Sequence, residues 1–154
     1  MPDTFTVYRL TPADLLLARD LNALFGVAFE DAETYGAEPP GEAYLARLLA
    51  REHVTALVAL GDGEVIGGLV AYELEKFERA RSEIYIYDLA VAQAHRRLGV
   101  ATALIRRLQV IAADRGAWVI FVQADYGDDP AIALYEKLGA REEVLHFDIA
   151  PARD

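Results

Sequence analysis

The chain has 154 residues, no cysteine and a formal charge of −10, with 25 acidic against 15 basic side chains. This length suits one domain with a full hydrophobic core. The lack of cysteine excludes disulfides, thiolate metal sites and cysteine nucleophiles, and it fits a reducing compartment. The negative charge argues against nucleic acid or an anionic membrane as the main partner and favours a cationic one, although charge bears first on solubility.

The apolar pattern predicts helices and strands along the whole chain. Residues 5–10 alternate as a strand, and Thr11 followed by Pro12 predicts an N-cap and the start of a helix that reaches about residue 28. An acidic loop over 30–40 precedes a short helix over 41–50. Further strands are predicted over 53–60, 64–77, 83–91, 118–124 and 142–149, and further helices over 98–115 and 130–139.

This order predicts a single α+β (mixed α/β) domain over residues 1–154. The turn at residues 61–63 joins two strands as a tight hairpin, so we expect the first half of the sheet to be antiparallel. The later strands alternate with helices, which predicts helices on both faces. No apolar run approaches the roughly 20 residues of a membrane span, and the first ten residues lack an export signal, so we expect a cytoplasmic protein.

The loop over residues 95–101, HRRLGVA, joins an apolar strand to a long helix. Helix N-termini offer unpaired N–H groups and a partial positive charge, which makes this loop a candidate anion site. Gly99 and Ala101 are small where a phosphate would approach, and Arg96 and Arg97 add positive charge. The loop fits neither the P-loop nor the Rossmann glycine pattern. An ordinary turn with solvated arginines is the alternative interpretation.

A second pattern makes this loop more specific. The run R-x-x-G-x-A over residues 96–101, preceded by the strand LAV and followed by A-x-x-L-Y-x-x-x-G over 131–139, resembles the acetyl-CoA signature of the GNAT superfamily of N-acetyltransferases. The element order resembles that family over nearly the whole chain. The resemblance implies the GNAT acyl-CoA N-acyltransferase fold, with a central mixed sheet of about six to seven strands flanked by four helices.

The resemblance also implies acetyl-CoA (coenzyme A) as cofactor. The backbone near residues 89–91 would pair with the pantetheine arm, and the loop over 96–102 would hold the pyrophosphate. The residues that it assigns to the cofactor are Leu89, Ala90, Val91, Arg96, Arg97, Leu98, Gly99, Val100, Ala101, Thr102 and Tyr135.

Within the superfamily, the runs RSEIYIYDLAV, HRRLGVATALI, VQADYGDDPA and REEVLHFDI are similar to the type I aminoglycoside 3-N-acetyltransferases, the gentamicin acetyltransferases. This implies acetylation of the 3-amino group of a deoxystreptamine ring, a role in antibiotic resistance and a homodimer. A polyamine, another small amine or a protein amine is the alternative acceptor. A non-catalytic acyl-CoA-binding module is the second alternative.

Two carboxylates are candidates for the base that deprotonates the acceptor, Asp88 and Glu83. Strict alternation puts Glu83 and Tyr87 on one face of their strand and Asp88 on the other. A bulge near residue 88, implied by the resemblance, would turn Asp88 toward the cofactor cleft. The resemblance also implies that Tyr135 protonates the departing thiolate, although a core tyrosine on an amphipathic helix is the simpler interpretation.

Three aspartates follow the strand over 118–124. Asp129 directly precedes Pro130 and is predicted to cap the next helix, which leaves Asp125 and Asp128 for a ligand. A polycationic acceptor requires carboxylates, and we expect fewer than half of the candidates to touch it. The three histidines show no metal-ligand spacing, so no metal is expected. The candidates for acceptor binding are Glu30, Asp31, Glu83, Tyr87, Asp125, Asp128, Glu142, Glu143 and His146.

Overall fold

The computed structural model describes residues 4–153 and contains five β-strands and four α-helices in that range, which confirms the α+β class. A π-helical segment, Glu33–Ala37, lies inside the predicted acidic loop, and a 3-10 turn spans Gln93–His95. No helix in residues 4–153 has the length and apolar character needed to cross a membrane. The strands are β1 (Thr6–Arg9), β2 (Val54–Gly61), β3 (Glu64–Glu75), β4 (Ser82–Val91) and β5 (Ala117–Val122), and the helices are α1 (Leu15–Ala28), α2 (Glu42–Leu49), α3 (Val100–Arg115) and α4 (Asp129–Leu138).

Contacts divide the chain into two compact units, one up to Gln123 and one from Ala124 onward. The first unit holds the sheet with α1, α2 and α3, and the second holds α4 and the C-terminal segment. The expectation of a single domain over residues 1–154 stays a prediction.

The sheet has the order β1-β2-β3-β4-β5. Its first four strands are antiparallel, as predicted, and β5 lies parallel to β4. Asp62 and Gly63 both have positive φ, 52° and 80°, in the turn between β2 and β3. Such a turn matches the twist of the strands that it joins. The parallel pair requires a crossover, which α3 provides.

Two adjacent glycines of β3 show how the helices cover the sheet. A Cβ on Gly68 would collide with Leu21 of α1 and lie 2.6 Å from the Leu57 carbonyl oxygen. A Cβ on Gly67 would lie 3.1 Å from Cγ1 of Val100, at the start of α3. Because neighbouring strand residues point to opposite faces, α1 and α3 cover opposite faces of the sheet. The core on the α1 side is formed by Leu10, Ala18, Leu21, Phe25, Leu45, Ala56 and Val58.

The predicted strand over residues 142–149 is wrong. Residues 140–153 have no regular secondary structure, so the sheet has five strands in the described chain, not six to seven. The apolar side chains of this segment are exposed, for example Leu145 at 83% and Ile149 at 90%. Alternation indicates which side chains share a face, but a strand also needs a hydrogen-bonded neighbour, which the pattern does not supply.

The predicted start of the first helix is also wrong. Thr11 is not its N-cap, because α1 begins at Leu15 after Asp14. The Asp14 carboxylate oxygen Oδ2 accepts hydrogen bonds from the Thr11 N–H at 2.7 Å and from the Tyr8 hydroxyl at 2.8 Å. These contacts tie the entry of α1 to β1.

The N-cap of α4 differs from the prediction by one residue. Asp128 is the cap, and its side chain accepts a hydrogen bond from the Ala131 N–H at 3.4 Å. Asp129 is already the first helical residue. The fixed φ of Pro130 suits any position in the first turn, so it does not identify which aspartate precedes the helix.

Candidate active site

A β-bulge in β4 determines the direction of Asp88. Val70 of β3 pairs with Asp88 while the next residue, Ala71, pairs with Ile86, so Tyr87 is the extra residue. Paired residues share a face, and Val70 lies two residues along β3 from Gly68, which faces Leu21 of α1. Asp88 therefore lies with Val70 on the α1 face. The expected bulge is present, and it reverses the orientation that strict alternation gives.

Asp88 is half-buried and accepts a hydrogen bond at its Oδ1 from the Tyr35 hydroxyl at 2.6 Å. Burial raises the pKa of Asp88, and the hydrogen bond from Tyr35 lowers this pKa only in part. A carboxylate with a raised pKa is a stronger proton acceptor near neutral pH. The sequence did not identify Tyr35, whose one signal was an aromatic residue in an acidic loop.

Four aromatic rings form a row across β3, β4 and β5, which we call the aromatic row: Tyr72, Tyr87, Tyr85 and Phe121. Tyr85 stacks on Phe121 with 4.6 Å between ring centroids. Tyr87 meets Tyr85 at 5.6 Å and Tyr72 at 6.0 Å, both edge to face. Tyr87, the bulge residue, is 63% exposed. Tyr87 is thus the exposed ring of the row, and it directly precedes Asp88 in sequence.

Glu83, the other candidate base, already has a counter-ion. The Lys76 ammonium lies 3.7 Å from the Glu83 carboxylate, whose side chain is 21% exposed. The Glu83 carboxylate is thus already engaged by a cation. The two candidates thus differ in environment, because Asp88 is bonded by a neutral phenol.

The strands β4 and β5 separate beyond Ile86. The last pair between them is Ile86 with Val122, although β4 continues to Val91. The β5-facing side of residues 87–91 therefore has no strand partner in residues 4–153. Backbone groups at such an opening can pair with the amides of an extended ligand.

The loop before α3 has the features of an anion cradle. Arg97 and Gly99 have positive φ, 65° and 82°, and Gly99 is the N-cap residue of α3. The Ala103 N–H bonds to the Gly99 carbonyl at 3.0 Å. The three backbone N–H groups before it lie ahead of this bond and have no partner within the helix. A Cβ on Gly99 would meet nothing within 4 Å, which leaves room beside these amides. The predicted phosphate loop thus combines free space with amides of the kind that bind anions at helix N-termini.

A cleft of about 610 Å³ lies between the end of α1 and the turn before α3. Arg96 lines it and also donates from Nε to the Val91 carbonyl at 3.2 Å. Glu30, a predicted acceptor-binding residue, lines the same cleft with a positive φ of 53°. Asp31 beside it is engaged locally, because its Oδ1 accepts the Thr34 N–H at 3.1 Å.

The second unit carries Tyr135 on α4. Burial, and then the negative charge of Asp128, raises the pKa of Tyr135 to about 12. The phenol is therefore protonated at neutral pH and able to donate a proton. Other predicted anchors in this unit have local partners: Glu143 pairs with Arg141 at 2.9 Å, and His146 with Asp148 at 2.8 Å. Asp125 and Glu142 are exposed.

A mixed sheet with a bulge in β4, an opening between β4 and β5 and a helix N-terminus behind a positive-φ glycine defines an acyltransferase fold. The model of the Acetyltransferase (GNAT) family matches residues 19–140. The chain belongs to this family.

Solved structures similar to the chain include aminoglycoside acetyltransferases from uncultured soil metagenomic samples. One is 58% identical, with a TM-score of 0.94, and the match covers 97% of this chain and 99% of that one. Another, solved in complex with sisomicin, is 31% identical with a TM-score of 0.88, and the match covers 96% and 97% of the two chains.

A curated N-alpha-acetyltransferase from Sulfurisphaera tokodaii is 30% identical over 105 residues, which cover 63% of this chain and 63% of that protein. The matched region covers 42% of a rat N-acetyltransferase family 8 member that is 27% identical. The chain thus matches less than two thirds of the length of these curated relatives.

Proposed function

We propose that the chain transfers an acetyl group from acetyl-CoA to the 3-amino group of the deoxystreptamine ring in gentamicin-type aminoglycosides, and so confers resistance to them. The observation that carries the proposal is Asp88, a half-buried carboxylate of raised pKa that the bulge turns to the α1 face. The 58% identity to an aminoglycoside acetyltransferase supports the acceptor class.

The residues that would hold acetyl-CoA fit its two polar parts. The unpartnered backbone side of Leu89 to Val91 suits the amides of pantetheine, and the amides of residues 97–102 suit the pyrophosphate. The positive φ of Gly99 supports this assignment, because the turn exposes the start of α3. Acetyl-CoA supplies an activated acetyl thioester.

Asp88 would take a proton from the acceptor ammonium, directly or through a water, and so generate the nucleophilic amine. The ion pair of Glu83 with Lys76 favours Asp88 over Glu83 as the base. Tyr135 would donate its phenolic proton to the departing sulfur. Its phenol is protonated at neutral pH, as a proton donor must be, and the pKa of about 12 makes it a weaker acid than an ordinary tyrosine.

The acceptor would meet carboxylates and aromatic rings. The formal charge of −10 favours a polycation. Among the anchors predicted from the sequence, Glu30, Asp125 and Glu142 are exposed, while Asp31, Asp128, Glu143 and His146 have local partners. The exposed Tyr87 offers a flat surface on which an aminosugar ring with its C–H groups can lie.

A homodimer in the cytoplasm is part of the proposal. In the described residues β5 pairs only with β4, and its Trp118 is 54% exposed. An open apolar strand edge favours association with another chain. Light scattering coupled to size-exclusion chromatography tests the dimer, and a monomeric mass at micromolar concentration would contradict it.

The decisive experiment is incubation of gentamicin with acetyl-CoA and the protein, followed by mass spectrometry and assignment of the modified nitrogen by NMR. We expect one added acetyl group on N3. Acetylation of another nitrogen would refute the 3-amino specificity and retain the family. Asp88→Asn should abolish transfer while the affinity for acetyl-CoA is unchanged.

The similarity to an N-alpha-acetyltransferase supports a second candidate, acetylation of a protein or peptide amine. A panel of acceptors that includes spermidine and peptides distinguishes the two, with thiol release as the readout. Turnover of peptides or spermidine without turnover of aminoglycosides would refute the antibiotic acceptor. A protein that binds acetyl-CoA and acetylates no amine would instead be a binding module.

A further inference from the structure

The contact between Tyr35 and Asp88 joins two distant parts of the chain. The Tyr35 hydroxyl lies 2.6 Å from Asp88 Oδ1 across a sequence separation of 53 residues, in a partly buried setting. Such a distance is typical of a hydroxyl bonded to a charged carboxylate, which is stronger than a bond between neutral groups. The contact engages Oδ1 of Asp88 and leaves Oδ2 for another partner.

The ring of Tyr35 is held by aromatic neighbours on α1 and just after it. Its centroid lies 5.9 Å from that of Phe25 and 5.6 Å from that of Phe29, and the two phenylalanines stack on each other at 5.5 Å. Gly26 allows this approach, because a Cβ there would lie 3.2 Å from the Tyr35 Cβ. The ring that carries the hydroxyl is therefore packed against two phenylalanines and lies close to Gly26.

The backbone that carries Tyr35 is unusual as well. Tyr35 lies in the π-helical segment Glu33–Ala37, which follows Glu30 with its positive φ of 53°. The Asp31 N–H bonds to the Gly26 carbonyl at 3.0 Å, and the Tyr35 N–H bonds to the Asp31 carbonyl at 3.3 Å. Short π-helical segments occur frequently at functional sites, and here the segment directs one hydroxyl at one carboxylate.

We infer that Tyr35 is a positioning residue for acetyl transfer: its hydroxyl holds Oδ1 of Asp88 and so presents Oδ2 to the acceptor amine. The inference rests on the proposed function, because it assumes that Asp88 is the base. It adds a residue of the π-helical segment to the machinery, and it gives that segment a task beyond connecting α1 and α2.

The groups around Asp88 make its response to pH interpretable. Tyr35 from the π-helical segment, Tyr72 from β3 and Tyr85 from β4 interact with its charge, and Asp31 and Tyr87 act on Tyr35. Burial is the largest cause that raises the pKa of each of the phenols Tyr35, Tyr72 and Tyr85. Among these contacts, the hydrogen bond from the Tyr35 hydroxyl is the one that lowers the pKa of Asp88.

The test is Tyr35→Phe, which keeps the ring and its packing. We expect kcat to fall roughly tenfold to a hundredfold, because a hydrogen bond to a charged group is lost. The acidic limb of kcat/KM should move to higher pH, since Asp88 then binds its proton more tightly. The affinity for acetyl-CoA should not change. Tyr8→Phe is the matched control, because it removes the hydroxyl of a tyrosine bonded to Asp14 at 2.8 Å. It should alter neither kcat nor the acidic limb of kcat/KM.

A carboxyl NMR titration of Asp88 separates the possible failures. An unchanged pKa of Asp88 in Tyr35→Phe would overturn the contact whatever the activity. A raised pKa with unchanged kcat and unchanged pH profile would show a purely structural bond and would overturn the positioning role. If the parent protein acetylates no amine, the proposed function fails and the catalytic role of Tyr35 fails with it, while the titration still decides the contact.

Discussion

Arg115, in the last turn of α3, forms an ion pair with Glu73 of β3, whose side chain is only 8% exposed. Glu73 also accepts a hydrogen bond from Ser82 at the start of β4. This contact joins the C-terminal end of the crossover helix to the sheet. It lies at the end of β4 opposite to Val91, where the loop before α3 begins.

Removing Arg115 should destabilise the protein, because it leaves a buried carboxylate without its counter-ion. We expect Arg115→Ala to lower the free energy of unfolding by about 3 kcal/mol, measured by denaturant titration at pH 7. Arg107→Ala is the matched control on the exposed side of the same helix, and its effect should stay within about 0.5 kcal/mol. Equal effects of the two variants would contradict the role of the ion pair.

The same pair should make stability depend on acid pH. Burial by itself would raise the pKa of Glu73, but the hydrogen bonds from Ser82 and Arg115 outweigh it, and the pKa is lowered. The stabilisation is therefore present above the unfolded value of about 4.3 and is lost as the pH falls through the lower folded value. Between about pH 5 and 3, the free energy of unfolding should depend less on pH in Glu73→Gln than in the parent protein. An unchanged slope would refute the assignment.

Gly68 is required by the approach of α1 to the sheet. Its Cβ would lie 2.6 Å from the Leu57 carbonyl oxygen and would collide with Leu21. Gly68→Ala should therefore lower the free energy of unfolding by roughly 1 to 3 kcal/mol through overpacking. Gly36→Ala is the control, because a Cβ there meets nothing within 4 Å. Thermal unfolding of both variants measures the difference, and an equal melting temperature would contradict it.

The aromatic row should contribute to acceptor binding. Tyr87→Ala removes an exposed ring beside Asp88, so we expect KM for an aminoglycoside to rise about fivefold to tenfold, since stacking contributes on the order of 1 kcal/mol. The affinity for acetyl-CoA should be unchanged. Phe77→Ala removes a fully exposed ring from the β3–β4 turn and should have no effect. An unaltered KM in Tyr87→Ala would exclude the row from the acceptor site.

Tyr135→Phe should lower kcat by about a hundredfold, because it removes the proposed proton donor and keeps the ring. With a pKa of about 12, Tyr135 stays protonated across the usual assay range, so its ionisation should not cause an alkaline loss of activity. Steady-state kinetics up to about pH 10 measure both effects. A kcat equal to that of the parent protein would show that Tyr135 is not the proton donor to the leaving thiolate.

The sequence predicted much of the fold because its elements are local. Periodicity located α3 and α4, and the hairpin between β2 and β3 followed from a turn that needs positive φ at Asp62 and Gly63. The acetyl-CoA motif was also local, since it occupies one loop. The strand wrongly predicted over 142–149 would need a pairing partner, which no local pattern specifies.

The candidate site was harder to predict because it depends on register and long-range contacts. Alternation alone gave Asp88 the wrong face, and only the family resemblance suggested the bulge. Tyr35 lies 53 residues from Asp88, so the hydrogen bond between them has no sequence signal. The exchange of Asp128 for Asp129 as helix cap shows the same limit at a smaller scale, because a proline fits several positions of a first turn.

The bulge in β4 also determines how this strand tolerates changes in length. Deleting Tyr87 alone would restore regular pairing and leave Asp88 opposite Val70, on the same face as before. Deleting one residue between 83 and 86 instead of Tyr87 would also close the bulge, but it would place Tyr87 opposite Ala71, in the core. Relatives with one residue fewer in this strand can therefore keep the carboxylate in place if the missing residue is the one at the bulge.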